Sequence, residues 1–192
     1  MKHRILLIAV MLLGSQLLFS QHSLYDMHFG SSEDRPVTMS DYKGKKTLIV
    51  VAGPASLQAK SSARYLGDIQ KKYPAVSVVI IPVADSSHPS ADPVPKDKAM
   101  VANTRYSALV ASKEKERHPL LQWLSDSKQN HHFDVTLKND EQFFVISESG
   151  VLYAVLEKGV SDAILKEVLT AKDVQPQQVV TDINRKGYTS PR

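Results

Sequence analysis

The sequence predicts an α/β fold in which a central mixed β-sheet is flanked by helices. Two apolar runs rich in β-branched residues, 47–52 and 76–83, lie on either side of a segment with helical apolar spacing. This is the pattern of a parallel β-α-β unit. Two further apolar runs, separated by a short turn, precede a final amphipathic segment. A length of 192 residues suits one such domain and leaves little room for a second.

The β-α-β unit occupies the first half of the domain. A polar turn over 42–46 precedes the first strand, 47–52 (TLIVVA), and the second strand is 76–83 (VSVVIIPV). The segment between them predicts a helix over 56–73, which Pro74 ends. Its apolar residues, spaced mostly by three or four, are Leu57, Ala63, Leu66, Ile69 and Tyr73. We expect two strands joined in this way to pair in parallel, with both faces covered.

The middle of the chain predicts a loop and two helices. Residues 84–95 (ADSSHPSADPVP) are rich in Ser, Pro and Asp, which is typical of a loop. The apolar residues of 96–111 predict a helix. A shorter helix is predicted over 118–124 (HPLLQWL), with Pro119 in its first turn. Proline is tolerated there because the N–H that it lacks would have no partner within the helix.

A β-hairpin and a last helix complete the domain. The runs 142–146 (QFFVI) and 151–156 (VLYAVL) predict strands, joined by a turn over 147–150 that ends in glycine. Ser161 is expected to cap the final helix. The apolar face of that helix consists of Ile164, Leu165, Val168 and Leu169. The predicted order β-α-β-α-α-β-β-α matches a thioredoxin-like fold, although several other α/β folds compete with it.

The first twenty residues have the pattern of a secretory signal peptide. Lys2 and Arg4 precede an apolar stretch over 5–13, and Ser20 is a small residue suited to cleavage. The alternative is an uncleaved N-terminal anchor, although the apolar stretch is short for a membrane span. We therefore expect an exported protein, periplasmic or extracellular, with no stable membrane span after cleavage of residues 1–20.

The remaining chain divides into a domain over 21–172 and a polar tail over 173–192. Without residues 1–20 it has 22 basic and 20 acidic residues, a net charge of +2. This near-neutral balance, without any basic helix, argues against a nucleic-acid partner. The chain contains no cysteine. It therefore has no thiol nucleophile, no disulfide and no thiolate metal ligand of its own.

Several segments resemble the glutathione peroxidase family. SLYD at 23–26 and VTMSDYKGK at 37–45 are similar to that family's opening strands and its L-x-D-Y-K-G-K approach to the first core strand. HPLLQWL at 118–124 is similar to its H-P-L-Y-x-W-L segment, and FFVISESG at 143–150 resembles its K-F-L-I-D-x-x-G strand and hairpin. IIP at 80–82 stands where the family has G-F-P.

The resemblance covers about residues 23–170 and implies a thioredoxin-like fold and a peroxidase reaction. In the family, a cysteine or selenocysteine at the N-terminus of the first long helix attacks a peroxide. A Gln, a Trp and an Asn hold this group and polarise the peroxide. A helix N-terminus and hydrogen-bond donors stabilise the thiolate, which is the reactive form. A resolving thiol or glutathione then restores the enzyme.

All four catalytic positions of the family differ in this chain. The resemblance places Ala55 at the nucleophile position and Asp85 near the position of the family's Gln. It places Asn139 and Asp140 where the family has its Trp-Asn pair. We refer to these four residues as the slot positions. Because there is no cysteine elsewhere in the chain, no displaced thiol can substitute for the missing nucleophile.

These observations predict a catalytically inactive family member, a pseudoenzyme with a binding or scaffold role and no cofactor. Its partner would be an unknown protein or small ligand. One alternative is an oxidoreductase of the family that acts in oxidative stress with altered groups. Another is metal or small-ligand binding, if Asp85, Asn139 and Asp140 converge near Ala55. Solvated loop residues are the simpler interpretation of the three polar slot positions.

Three other groups of residues receive structural interpretations. Ser56 is expected to cap the first helix rather than to act as a nucleophile, because no base is assigned to it. His131 and His132, with Asp134, could contribute to a metal site, but solvated loop residues fit their spacing better. The apolar residues of 118–124 could bind a partner, and core packing is the preferred prediction for them.

Overall fold

A mixed β-sheet forms the centre of the structure, a computed structural model that describes residues 23–29, 37–84, 104–106, 110–111, 118–138 and 140–172. Among these residues the sheet has six strands, in the order β5-β4-β3-β7-β8, with β6 also pairing with β4. The strands are β1 (His28–Phe29), β2 (Val37–Thr38), β3 (Thr47–Ala52), β4 (Ser77–Ala84), β5 (Thr104–Tyr106), β6 (Val110–Ala111), β7 (Gln142–Ile146) and β8 (Leu152–Glu157). The first two form a separate antiparallel pair.

Five α-helices accompany the sheet in the part of the chain that the structure describes. They are α1 (Pro54–Gln58), α2 (Lys60–Lys72), α3 (Pro119–Ser125), α4 (Ser127–Asn130) and α5 (Asp162–Thr170). Two 3-10 turns, Leu24–Asp26 and Met39–Tyr42, lie in the segments that lead to β3. No helix within the described ranges is long and apolar enough to span a membrane. The predicted signal peptide, 1–20, and the predicted tail, 173–192, lie outside those ranges.

The predicted β-α-β unit is confirmed. Strands β3 and β4 pair in parallel, from Thr47 opposite Ser77 to Ala52 opposite Pro82. Every residue of β3 is buried. The strand lies between β4 and β7 inside the sheet, which explains why its sequence is apolar throughout rather than alternating.

The predicted helix over 56–73 is two helices, and the prediction that Ser56 caps it is wrong. Pro54 occupies the first turn of α1, where its fixed φ suits a helix start, so the helix begins earlier than predicted. Gly53 is the N-cap, with no side-chain capping bond. Ala59 has extended backbone angles (φ −68°, ψ 128°) and separates α1 from α2. Ser56 therefore lies inside a helix, and its hydroxyl is available for another partner.

The predicted helix over 96–111 is wrong in the part that the structure describes. Residues 104–106 and 110–111 are strands β5 and β6, both parallel to β4. Thr104, Tyr106 and Val110 are residues that favour strands. By pairing with β4, these residues satisfy the backbone N–H and C=O groups along its outer edge, which a helix at this place would leave without partners. Tertiary context therefore overrides the helical spacing.

The predicted helix over 118–124, the hairpin and the final helix are confirmed, whereas the predicted loop over 84–95 lies outside the described residues except for Ala84, which ends β4. Helix α3 begins at Pro119, and His118 caps it by accepting a hydrogen bond from the Leu120 N–H at 3.2 Å. Its four apolar side chains are buried in the core, as predicted: Leu120, Leu121, Trp123 and Leu124. Strand β7 pairs antiparallel with β3 and with β8. Ser161 caps α5 by accepting a hydrogen bond from the Ile164 N–H at 3.4 Å.

The turn between β7 and β8 requires glycine at position 150 for two physical reasons. Its φ of +86° lies in the left-handed region that favours glycine. A Cβ atom at this position would also lie 2.7 Å from the hydroxyl oxygen of Tyr25. The turn therefore depends on glycine both for its backbone conformation and for the packing of Tyr25 against it.

Candidate functional site

Ala55 lies at the carboxyl end of β3, at the edge of the sheet where α1 begins. Gly53 and Pro54, which precede it, are buried. Ala55 is the second residue of α1 and is exposed. The backbone thus presents this side chain to solvent, at a place where a cysteine would be reachable. A methyl group there supplies no nucleophile and no ionisable group.

The other slot positions are only partly described. Asp85 and Asn139 lie outside the described residues. Asp140 is exposed and directly precedes the buried Glu141. Because Gln142 at the start of β7 pairs with Val51 near the end of β3, Asp140 lies at the same sheet edge as Ala55. The alternative that the three polar slot positions converge near Ala55 therefore stays a hypothesis, whereas the exposure of Asp140 fits the simpler interpretation of a solvated loop residue.

Glu141 is the acidic residue that the sequence analysis did not identify. Its side chain is only 1% exposed. One carboxylate oxygen, Oε1, accepts a long hydrogen bond of 3.4 Å from the Ser56 hydroxyl and lies 3.7 Å from Nζ of Lys158. The other oxygen, Oε2, is buried and has no hydrogen-bond partner among the described residues. A buried carboxylate with this little compensation is costly, which marks Glu141 as a functional candidate.

A signal for Glu141 is present in the sequence. Side chains alternate between the faces of a strand, so Glu141, Phe143 and Val145 share one face. Phe143 and Val145 belong to the core. A charged residue in register with core residues at the start of a strand is unusual, because ionised side chains are rarely buried completely. Attention to the slot positions drew the prediction to the neighbouring Asp140 instead.

Tyr65, a residue of α2, is a further polar side chain next to β7. Its ring lies 5.9 Å from the ring of Phe143, centre to centre. Its hydroxyl is buried and has no hydrogen-bond partner among the described residues. Burial raises the pKa of Tyr65, and the negative charges of Asp162 and Glu141 raise it further. The hydroxyl therefore stays protonated and lies within the field of the Glu141 carboxylate.

Ser56, Tyr65 and Glu141, with Lys158 beside them, form a cluster that we call the edge cluster. It contains one carboxylate, two hydroxyl groups and one half-exposed ammonium group. The described residues include no group of three or more His, Asp or Glu that could hold a metal ion. The cluster can accept hydrogen bonds and attract positive charge, whereas its carboxylate opposes an anion such as a thiolate.

The histidine pair lies elsewhere and has its own contacts. His131 is exposed with a φ of 67°, and His132 is half-buried. Burial lowers the pKa of His132, and neighbouring His131 lowers it further, so this ring is neutral at pH 7. Asp134 accepts a hydrogen bond from the Ser127 N–H at 2.8 Å, and this bond is the main cause of its lowered pKa. Asp134 therefore stabilises the start of α4, a structural role.

A cleft of about 430 Å³ lies at the opposite edge of the sheet. Tyr25, Trp123 and His132 are among the residues that line it, together with the hairpin turn after β7. That turn follows Ile146, which pairs with Thr47 at the start of β3, whereas Ala55 follows the end of the same strand. The cleft and the edge cluster are therefore separate places in the fold.

Known structures share this architecture. A protein described as Trgpx, in apo form, matches with a TM-score of 0.56 and 20% identity over 79% of this chain and 99% of its own. GPX1 of T. cruzi matches with a TM-score of 0.55 and 17% identity over 77% of this chain and 96% of its own. A secreted thiol-disulfide isomerase from Corynebacterium glutamicum matches with a TM-score of 0.53 and 15% identity, over 76% and 82%.

No family model and no curated protein matches the chain. At these identities the structural matches establish the fold, and the predicted thioredoxin-like α/β fold is confirmed. The fold is shared with structures of glutathione peroxidases and of a secreted thiol-disulfide isomerase. Those names describe the similar proteins, whereas this chain contains no cysteine.

Proposed function

We propose that this chain is an exported, glutathione peroxidase-like pseudoenzyme that acts by binding a partner rather than by thiol chemistry. The observation that carries the proposal is Ala55. This residue is exposed at the end of β3, in a thioredoxin-like fold, in a chain without cysteine. The accessible position persists while the group that would react there is missing. The basic and apolar segments within residues 1–20 support export.

The charge of the edge cluster also supports a change from chemistry to binding. A thiolate is the reactive form of a peroxidase cysteine, and nearby positive charge or hydrogen-bond donors stabilise it. Here the hydroxyl of Ser56, the neighbour of Ala55, donates a hydrogen bond to the carboxylate of Glu141. Negative charge at this place raises the pKa of a thiol and disfavours the thiolate. The same carboxylate favours a ligand that donates hydrogen bonds, which supports small-ligand binding as the second candidate function.

A peroxide-consumption assay on the purified protein tests the loss of the reaction. Hydrogen peroxide and an organic hydroperoxide are supplied with either thioredoxin or glutathione as the reductant. We expect consumption at the buffer rate in every combination. Turnover above that rate would contradict the proposal and favour the alternative of an oxidoreductase with altered groups.

The variant Ala55→Cys makes the assay more specific, because it restores a thiol at the accessible position. We expect this thiol to keep a pKa at or above the ordinary value of about 8.5, since the Glu141 carboxylate opposes the thiolate. The rate of alkylation as a function of pH measures that pKa. A thiol pKa below about 7, together with peroxide turnover, would show that the edge cluster still supports the family reaction.

A further inference from the structure

We propose that the edge cluster is a binding site for a primary ammonium group, with the carboxylate of Glu141 as its counter-ion. The inference rests on the proposed role as a binding protein and names the chemistry that this role would recognise. The ammonium group could belong to a small amine or to a lysine side chain of a protein partner. Three observations support the proposal.

The first observation is the incomplete compensation of Glu141. The carboxylate is 1% exposed, so it has lost almost all of its hydration. One oxygen has a long hydrogen bond from Ser56 and an ammonium group at 3.7 Å, and the other has no partner among the described residues. Lys158 is half-exposed, and its long side chain can move into solvent. A second cation at Oε2 would supply the missing compensation.

The second observation is the number of available acceptors. An ammonium group has three N–H donors and no acceptor. The edge cluster contains three groups that can accept hydrogen bonds, namely the Glu141 carboxylate and the hydroxyls of Tyr65 and Ser56. Ser56 donates its hydrogen towards Glu141, so its lone pairs can accept from a ligand. The Tyr65 hydroxyl is buried and has no partner within the described part of the chain.

The third observation is the match between charge and access. A single carboxylate suits a singly charged organic cation, whereas a divalent metal ion requires more oxygen ligands. Ser56, whose hydroxyl contacts the carboxylate, is half-buried, and the preceding Ala55 is exposed, so the cluster lies close to the protein surface. The raised pKa of Tyr65 is consistent with a negative field at this place, to which Glu141 and Asp162 contribute.

Titration with small ammonium ions, followed by amide NMR of the full chain, tests the proposal. Methylammonium chloride is the probe, and tetramethylammonium chloride is the control, because it has the same charge and no N–H donor. We expect saturable shifts of the Ala55, Ser56 and Glu141 amide signals with methylammonium only. The titration extends to about 100 mM, which is enough to detect a site of weak millimolar affinity. Equal shifts with both ions, or no saturable shift with methylammonium, would overturn the proposal.

Matched variants locate the site. Glu141→Gln removes the charge at nearly constant shape. We expect it to weaken binding at least about tenfold, because one hydrogen bond to a charged group is lost. Glu157→Gln removes an exposed carboxylate at the same end of the sheet and should leave the affinity unchanged. Tyr65→Phe keeps the ring and removes the hydroxyl, and it should weaken binding several-fold. An unchanged affinity in folded Glu141→Gln or in Tyr65→Phe would overturn the assignment.

The two sources of the ammonium group are separated by a second pair of probes. Nα-acetyl-lysine methylamide represents a lysine in a protein, and butylammonium represents a small amine with the same chain. Tighter binding of the lysine compound supports a protein partner, and tighter binding of butylammonium supports a small amine. The result is independent of the peroxide assay, since a protein that consumes no peroxide but ignores both probes would contradict this inference alone.

Discussion

The pair formed by Glu141 and Lys158 provides the sharpest test of the edge cluster, because it reports whether the buried carboxylate carries charge. A double-mutant cycle uses Glu141→Gln, Lys158→Met and the combined variant. Glutamine keeps the shape of Glu141, and methionine keeps much of the apolar stem of Lys158. The coupling energy is the difference between the destabilisation of the combined variant and the sum of the destabilisations of the two single variants.

The distance and the exposure of the pair set the expected magnitude. Two unit charges about 4 Å apart interact by about 1 kcal/mol in water and about 4 kcal/mol at an effective dielectric constant near 20. The pair is separated by 3.7 Å, with Glu141 buried and Lys158 half-exposed. Solvent screening of Lys158 moves the value towards the lower limit, so we expect a coupling energy of about 1–2 kcal/mol.

Urea unfolding of the four proteins at pH 7 measures the coupling energy, provided that the slope of the unfolding free energy against urea is unchanged. The exposed pair Lys72 and Asp162, at 3.4 Å, is the control. Both of its side chains are exposed, so solvent screening should make its coupling the weaker of the two. A coupling energy for Glu141 and Lys158 below about 0.3 kcal/mol, or below that of the control pair, would refute the picture of a buried, charged Glu141.

Two further predictions concern the framework of the fold. Gly159→Ala should destabilise the fold by about 1–2 kcal/mol, because its φ is +89° in open space. Gly150→Ala should cost at least about 1 kcal/mol more, because the new Cβ also meets Tyr25; equal costs in urea unfolding would contradict this contact. Burial lowers the pKa of His118, whose ring accepts the α3 capping bond, so protonation favours the unfolded state. The free energy of unfolding should therefore fall as the pH decreases from about 7.5 through the ordinary histidine pKa. The variant His118→Asn keeps a capping acceptor and should reduce this dependence of stability on pH. An unchanged dependence in this variant would exclude His118 as the titrating group.

The helices and strands with strong local signals could be predicted from the sequence. Strand β3 is found over the predicted residues, and β4, β7 and β8 differ from their predicted bounds by at most one residue at each end. Helix α3 has Pro119 in its first turn, as predicted, and Ser161 caps α5. Apolar runs, a proline at a helix start and a capping serine act within a few residues, so their consequences can be inferred without the rest of the fold.

Long-range pairing explains the predictions that were wrong. Residues 104–106 form a strand because they pair with the outer edge of β4, and the local sequence does not show that this edge lies beside them. Ser56 was expected to act as a cap, but Pro54 moves the helix start, and the Ser56 hydroxyl contacts Glu141, which lies 85 residues later in the chain. Such contacts depend on which elements the sheet brings together.

For the candidate site, the sequence by itself determined what is missing, and the tertiary structure decided what is present. The absence of cysteine, with alanine at position 55, excludes thiol chemistry in this chain whatever its fold. The tertiary structure decides that Ala55 is exposed and that Glu141, rather than its neighbour Asp140, is buried just before β7 pairs with β3. Composition fixes which chemical groups exist, but burial and proximity depend on packing between distant segments, and these decide whether a carboxylate is an ordinary surface charge or a binding group.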